Sequence, residues 1–356
     1  LVSKKIRVLV VDDSAFMRRV ISQMIEASPD FEVVGTARDG REGVDMAMAL
    51  KPDVITMDIE MPRMNGLEAT ELIMSNLPTP IIVLSSLTTD GAKATFDALD
   101  KGAMDYMDKN LDRSALDIVK IQEALQGKIM AVSKRRARLL RPSRIVRPKV
   151  GLPPADKPSG KKSFATQKIA FVAIGASTGG PRAIQEVLSK LPGEISTPFI
   201  ISVHMPGAFT GTFADRLDSL SELSVKEAHN GEKIEIGKAL VCPGGKQTRI
   251  RRKGVTDFYV EINEEPPDSI YKPAVDITMT SVAEAYPGRS LGVILTGMGS
   301  DGSKGMKEIK KRGGKTLVQD EESCVVYGMP KAVVDEGVAD KVVSLELIAG
   351  EIVNMI

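Results

Sequence analysis

Residues 6–14 read Ile6-Arg7-Val8-Leu9-Val10-Val11-Asp12-Asp13-Ser14, an apolar run that ends in two carboxylates and a hydroxyl. Such a run, apolar without alternation, is the pattern of a strand buried on both faces, as in a parallel sheet covered by helices. The same unit recurs downstream. Strands over Glu32–Ala37, Val54–Met57, Ile81–Leu84 and Asp105–Met107 alternate with amphipathic helices over Ala15–Ala27, Gly40–Leu50, Gly66–Ser75, Gly91–Lys101 and within 113–133. Five β/α repeats predict a doubly wound α/β domain over residues 1–133.

The chain has 356 residues, enough for about two domains. From Lys134 to Lys162 the character changes: eleven Lys and Arg face one acid, Asp156, and five prolines break the periodicity. This net charge of +10 sits in a chain whose total is +1, so the remainder carries −9. Residues 134–163 read as an extended basic linker, because Pro and like charge oppose compaction. Docking of that linker, through Arg135, Arg136 and Arg138, on an acidic partner surface is the alternative.

Alternation resumes near Lys168, with strands over Ile169–Ile174, Phe199–Val203, Leu291–Leu295 and Thr316–Gln319. Helices are expected over Gly180–Leu191, Phe213–Ser219, Ser281–Ala285 and Lys304–Lys311, and hairpin-like strands over Ala239–Cys242, Thr248–Arg251 and Asp257–Ile262. Residues 164–356 therefore read as a second doubly wound, Rossmann-like α/β domain.

Composition narrows the function classes. Hydrophobic residues at 42% and charged residues at 27% are ordinary for a globular protein. Aromatic residues are only 4% with no Trp, which argues against a base-stacking surface. Cys242 and Cys324 lie far apart without a CxxC or His partner, which suggests neither a metal site nor a disulfide framework and fits a reducing cytoplasm. No apolar run approaches the roughly 18 residues of a membrane helix, and the N-terminus shows no secretory pattern. Direct membrane insertion is not expected.

In a doubly wound sheet the loops after the strands converge on one crevice. Asp12 and Asp13 follow the first strand, Asp58 the third and Lys109 the fifth, with Ser85 after the fourth. Carboxylates with water suit Mg²⁺, a carboxylate can take up a phosphoryl group, and a lysine would neutralise the transferring charge. Acids that merely cap the following helices are the plain alternative. Five landmarks in order favour the phosphoryl acceptor. With Met57-Asp58-Ile59-Glu60-Met61-Pro62-Arg63-Met64-Asn65-Gly66, Leu84-Ser85-Ser86 and Gly102 to Lys109, the first domain resembles the receiver domain of two-component response regulators, a flavodoxin-like (βα)5 fold. The resemblance implies phosphorylation at Asp58, Mg²⁺ held by Asp12, Asp13 and Asp58 with Glu60, and a switch of Ser85, Tyr106 and Lys109. Asn110 departs from the proline usual in that family.

In the second domain, Gly175-Ala176-Ser177-Thr178-Gly179-Gly180-Pro181 places a serine between a strand and a helix, satisfying G-x-S-x-G. A phosphate-cradling turn is the alternative, although the third Gly of G-x-G-x-x-G and a P-loop Lys are missing. The chain has only two histidines. His204 ends an apolar strand and is the candidate base, whereas His229 lies in a polar turn. Asp301, in Thr296-Gly297-Met298-Gly299-Ser300-Asp301-Gly302 after a third strand, is the candidate orienting carboxylate. The order Ser, His, Asp differs from that of the α/β-hydrolases.

These segments, with Val203-His204-Met205-Pro206, Val241-Cys242-Pro243-Gly244-Gly245 and Asp276, resemble the catalytic domain of the CheB family of chemotaxis protein-glutamate methylesterases. The resemblance implies Ser177 as nucleophile, His204 as general acid/base, Asp301 as its orienter and the Met298 N–H in the oxyanion hole. It implies hydrolysis of glutamyl methyl esters and deamidation of glutamines on chemoreceptors, activation by the histidine kinase CheA as phosphodonor, and no cofactor for the hydrolysis itself. A DNA-binding regulator that uses the basic linker is the rival, but no helix-turn-helix pattern follows the receiver, so no nucleic-acid partner is expected.

Overall fold

The computed structural model describes residues 4–86, 88–109, 115–134, 168–254 and 257–356. The linker expected over 134–163, apart from Lys134, and Asn110 lie outside them.

The first sheet consists of β1 (Ile6–Val11), β2 (Phe31–Ala37), β3 (Val54–Asp58), β4 (Ile81–Ser85) and β5 (Asp105–Asp108), in the order β2-β1-β3-β4-β5. Every pairing is parallel. The helices α1 (Ala15–Glu26), α2 (Gly40–Leu50), α3 (Gly66–Asn76), α4 (Thr89–Asp100) and α5 (Ala115–Ser133) alternate with the strands. Local chemistry sets their starts: Ser14 accepts from the Met17 N–H, and Asn65 with Glu68 forms a capping box. Strand order reverses between β1 and β3, so their carboxyl ends open one crevice.

The second sheet has seven strands, all parallel, ordered β14-β13-β12-β6-β7-β9-β8. They are β6 (Phe171–Ala176), β7 (Phe199–Val203), β8 (Ser224–Glu227), β9 (Lys238–Val241), β12 (Ser290–Ile294), β13 (Lys315–Gln319) and β14 (Lys341–Val343). β10 (Gln247–Lys253) and β11 (Asp257–Asn263) form a separate antiparallel pair. The helices are α6 (Gly180–Leu188), α7 (Gly207–Leu220), α8 (Val275–Ala285), α9 (Ser303–Lys311), α10 (Met329–Asp335) and α11 (Leu345–Met355). No described helix is long and apolar enough to cross a membrane.

One strand departs from expectation. Residues 239–242 do not make a hairpin: β9 lies parallel to β7, with Val241 beside Ile201, because its apolar residues are buried inside the main sheet. β8 and β14, which no apolar run marks, are edge strands whose exposed residues blur the pattern. α7 and α8 each begin six residues earlier than expected.

The two sheets meet through helices. α4 of the first domain lies on α7 of the second, where the fully buried Phe96 stacks on Phe213 at 5.3 Å and meets the Phe209 ring edge-on at 6.2 Å. Tyr106 stacks on the other side of Phe209 at 5.2 Å. Arg216 closes the rim with ion pairs to Asp97 and Asp100.

Candidate functional site

Ser177 follows β6 and His204 follows β7, two adjacent strands, so the register that pairs Ala176 with Val203 sets the two side chains side by side. His204 Nδ1 lies 3.1 Å from Ser177 Oγ, and Nε2 lies 2.7 Å from Asp301 Oδ2. All three expected residues therefore meet. The imidazole is turned end for end relative to the chymotrypsin-type triad, in which Nε2 faces the serine. With Nε2 donating to Asp301, the Nδ1 lone pair faces the hydroxyl, an arrangement that can take the serine proton.

The turn around Ser177 depends on close backbone approach. Gly179 begins α6 with φ +73°, a left-handed conformation suited to glycine. Gly297 lies so near that a Cβ there would be 2.9 Å from Ser177 Cβ. The Ser177 N–H donates to the Thr296 carbonyl at 3.0 Å, fixing the serine against the loop that carries Met298. Among the described residues the Met298 N–H has no internal hydrogen bond.

Asp301 is 7% exposed and heavily hydrogen-bonded. Oδ2 accepts from the Val275 N–H at 2.7 Å as well as from His204, and Oδ1 accepts from the N–H groups of Asp276 at 2.9 Å and Gly302 at 3.0 Å. Val275 and Asp276 open α8, so the helix dipole adds to the effect. Burial pushes this carboxyl up, but the His204 and backbone hydrogen bonds outweigh it and hold Asp301 below the usual carboxylate range. Asp276 bonds the Gly305 N–H, and burial pushes its own carboxyl up. His229 is exposed and outside this cluster, as its polar turn suggested.

At the crevice of the first sheet, oxygens of Asp12, Asp13 and Asp58 all lie within 4.8 Å of one another. Lys109 Nζ donates to Asp58 at 2.7 Å and stands 3.9 Å from Asp12. Asp12 Oδ2 is buried without a hydrogen-bond partner. Burial, then the neighbouring Asp58, pushes the Asp12 carboxyl up to about 6, and burial also raises Asp58. Burial opposes the charge on Lys109, yet its bond to Asp58 and the other acids hold it above the ordinary lysine range. An orphaned carboxylate oxygen within three converging acids fits a hard divalent cation such as Mg²⁺. Glu60 does not join the set: β3 ends at Asp58, and the Glu60 side chain is exposed in the following loop. Ser85 is buried and donates to the Gly91 carbonyl of α4 at 3.1 Å, while Tyr106 is 7% exposed against Phe209.

Sequence reasoning passed over Tyr271, which stacks on the imidazole, and Gln247, which bonds the Tyr271 carbonyl; both lie between β9 and α8. It also did not anticipate that Met298 touches the first domain. Its Sδ and Cε lie where a Cβ on Gly127 of α5 would come within 3.4 Å.

Comparison with known proteins agrees with both halves. Residues 172–352 match the CheB methylesterase family and residues 8–119 the response regulator receiver domain. The chain is 47% identical to protein-glutamate methylesterase/protein-glutamine glutaminase 2 of Nitratidesulfovibrio vulgaris, over 98% of this chain and 99% of that protein. It is 48% identical to protein-glutamate methylesterase/protein-glutamine glutaminase 1 of Geobacter sulfurreducens, over 99% and 98%. The crystal structure of the Thermotoga maritima CheB methylesterase catalytic domain, 38% identical, superposes with a TM-score of 0.52 over 53% of this chain and all of that one. With a receiver fold in front and a serine, imidazole and carboxylate in contact behind it, the chain belongs to the CheB family of response-regulator methylesterases, carboxylic ester hydrolases with glutaminase activity.

Proposed function

We propose that residues 164–356 hydrolyse glutamyl methyl esters, and deamidate glutamines, on chemoreceptor helices, and that residues 1–133, joined through the linker 134–163, switch this activity. The observation that carries the reading is the contact of His204 with Ser177 at 3.1 Å and with Asp301 at 2.7 Å. Ser177 Oγ attacks the acyl carbon as His204 Nδ1 takes its proton, and Asp301 stabilises the imidazolium through Nε2. The tetrahedral oxygen is held by the free Met298 N–H, a donor of a kind that contributes about 2.7–4 kcal/mol. His204 then gives the proton to the departing methoxy oxygen or amide nitrogen, releasing methanol or ammonia, and water cleaves the acyl-enzyme by the same steps.

Control follows from the helix contact. Asp58 takes up the phosphoryl group and Lys109 neutralises it; Asp12, Asp13 and Asp58 would hold Mg²⁺, which when bound would supply further charge neutralisation to the transferring group. Ser85, drawn to the new phosphate, releases Gly91 at the start of α4, the helix that carries Phe96. Its packing on α7 loosens, and α5 withdraws from Met298. The kinase CheA is the natural donor.

Methanol release from a methylated receptor fragment tests both sites. We expect release that rises with Mg²⁺ and a small-molecule phosphodonor, loses that rise in Asp58→Asn and disappears in Ser177→Ala. Undiminished release by Ser177→Ala would refute the assignment.

A further inference from the structure

The Tyr271 ring lies parallel to the His204 imidazole, with ring centres 4.0 Å apart and planes within 4°. The segment that presents it is tied down by one side chain. Gln247, fully buried at the start of β10, donates from Nε2 to the Tyr271 carbonyl at 2.8 Å and accepts at Oε1 from the Ala274 N–H at 2.9 Å. The next two N–H groups, of Val275 and Asp276, are those that hold Asp301. One buried carboxamide thus fixes both the surface on which the imidazole rests and the helix end that grips its carboxylate.

We propose that Tyr271, anchored by Gln247, is a positioning residue that keeps His204 with Nδ1 at Ser177 and Nε2 at Asp301. The inference rests on the hydrolase reading of these three side chains. The χ2 torsion of histidine is broad and roughly two-fold. A half-turn exchanges Nδ1 with Cδ2 and Nε2 with Cε1, which breaks both hydrogen bonds. Any such turn passes through an orientation in which the imidazole stands edge-on to its neighbour. A flat ring in contact with its face leaves no space for that orientation, whereas a flexible aliphatic side chain of similar volume yields. The π-face also lies where positive charge develops when the imidazole takes the serine proton.

The full chain holds only two histidines, so ¹⁵N NMR reads the His204 tautomer directly, with His229→Asn assigning the other. The wild type should show a single Nε2–H tautomer, retained in Tyr271→Phe. In Tyr271→Leu the signal should split or broaden, and kcat for phosphodonor-stimulated methanol release should fall about 10- to 100-fold with KM within about twofold. Gln247→Met should move the same way, and Tyr271→Trp, which restores a flat ring, should recover most of kcat. An unchanged tautomer and kcat in Tyr271→Leu would overturn the proposal, as would equal losses in Tyr271→Phe and Tyr271→Leu. Absence of methanol from every form would overturn the hydrolase reading alone, and the tautomer in Tyr271→Leu would still decide the role of the ring.

Discussion

Asp12 and Asp301 are both buried acids in loops beyond parallel strands, yet their surroundings push them in opposite directions. Asp301 receives three backbone N–H groups and an imidazole, which hold its carboxyl below the usual range despite burial. Asp12 faces two further acids, leaves one oxygen without a partner and is pushed up to about 6. The same kind of sheet edge therefore supports one charge site that is complete within the chain and another that awaits a cation. The first is suited to run a reaction continuously, the second to respond to an outside event.

The largest effect should come from spoiling the complete site. In Asp301→Asn the side chain keeps its shape but offers an N–H where His204 needs an acceptor, so the imidazole is driven to the wrong tautomer. A loss of about 10⁴-fold in kcat is expected, the scale of the same change in the serine-protease triad, with Asp58 still accepting phosphate. Steady-state methanol release beside phosphoryl incorporation checks this. Activity within tenfold of wild type would mean that Asp301 does not orient the base.

Next is the contact that joins the two sites. Phe96 is fully buried between Phe209 and Phe213, and truncation of such a ring costs about 3–5 kcal/mol. Phe96→Ala should therefore free α4 from α7 and raise methanol release without phosphodonor by about tenfold or more, an effect of over 1.4 kcal/mol on the docked state. Adding phosphodonor should then change little. Unaltered basal release with the phosphodonor response intact would show that this packing does not restrain the hydrolase.

The incomplete site should show itself in stability. A carboxyl raised from 3.8 to about 6 in the folded state binds its proton more tightly there than in the unfolded chain. Its contribution is fully present below the ordinary value and is lost as pH rises through about 6. Relative to Asp12→Asn, the metal-free wild type should lose about 2 kcal/mol of receiver stability between pH 4 and pH 7.5. Mg²⁺ should restore stability at pH 7.5 and do little at pH 4. Urea midpoints measured at both pH values, with and without Mg²⁺, decide it. Identical pH dependence in wild type and Asp12→Asn would remove Asp12 from the set.

Much of this was legible in the sequence because strand ends converge wherever a parallel sheet is wound on both sides. Asp12, Asp58 and Lys109, and likewise Ser177, His204 and Asp301, each follow a strand, so their meeting needed only the order of strands. His204 was also singled out by the scarcity of histidine. Tyr271 was not legible, because its contact arises in an irregular stretch with no period to read, nor was Gln247, because a strand's period gives the face of a side chain and not its partner. Nor was the end-for-end turn of the imidazole, which depends on which face of the ring is covered. The Glu60 side chain stands outside the group of acid oxygens, since a motif gives residue spacing and not the direction in which a side chain leaves the loop. The docking of α4 on α7 joins residues more than a hundred positions apart, and nothing local in either helix announces it.

The smallest effect concerns the rim of that docking. Arg216 pairs with Asp97 at 3.0 Å and also with Asp100, and both acids are about half exposed. Ion pairs open to water are worth about 0–1 kcal/mol, because side-chain ordering and salt screening offset the Coulomb attraction. Arg216→Ala should therefore raise unstimulated methanol release by about fivefold at most, and less in high salt. Phe96→Ala, by contrast, should be nearly indifferent to salt, since it removes apolar packing rather than charge. The double variant read at low and high ionic strength separates the two contributions. Should Arg216→Ala alone release the hydrolase as fully as Phe96→Ala, charge rather than the aromatic stack holds the domains together, and phosphorylation would then act by altering the field around Asp97 and Asp100.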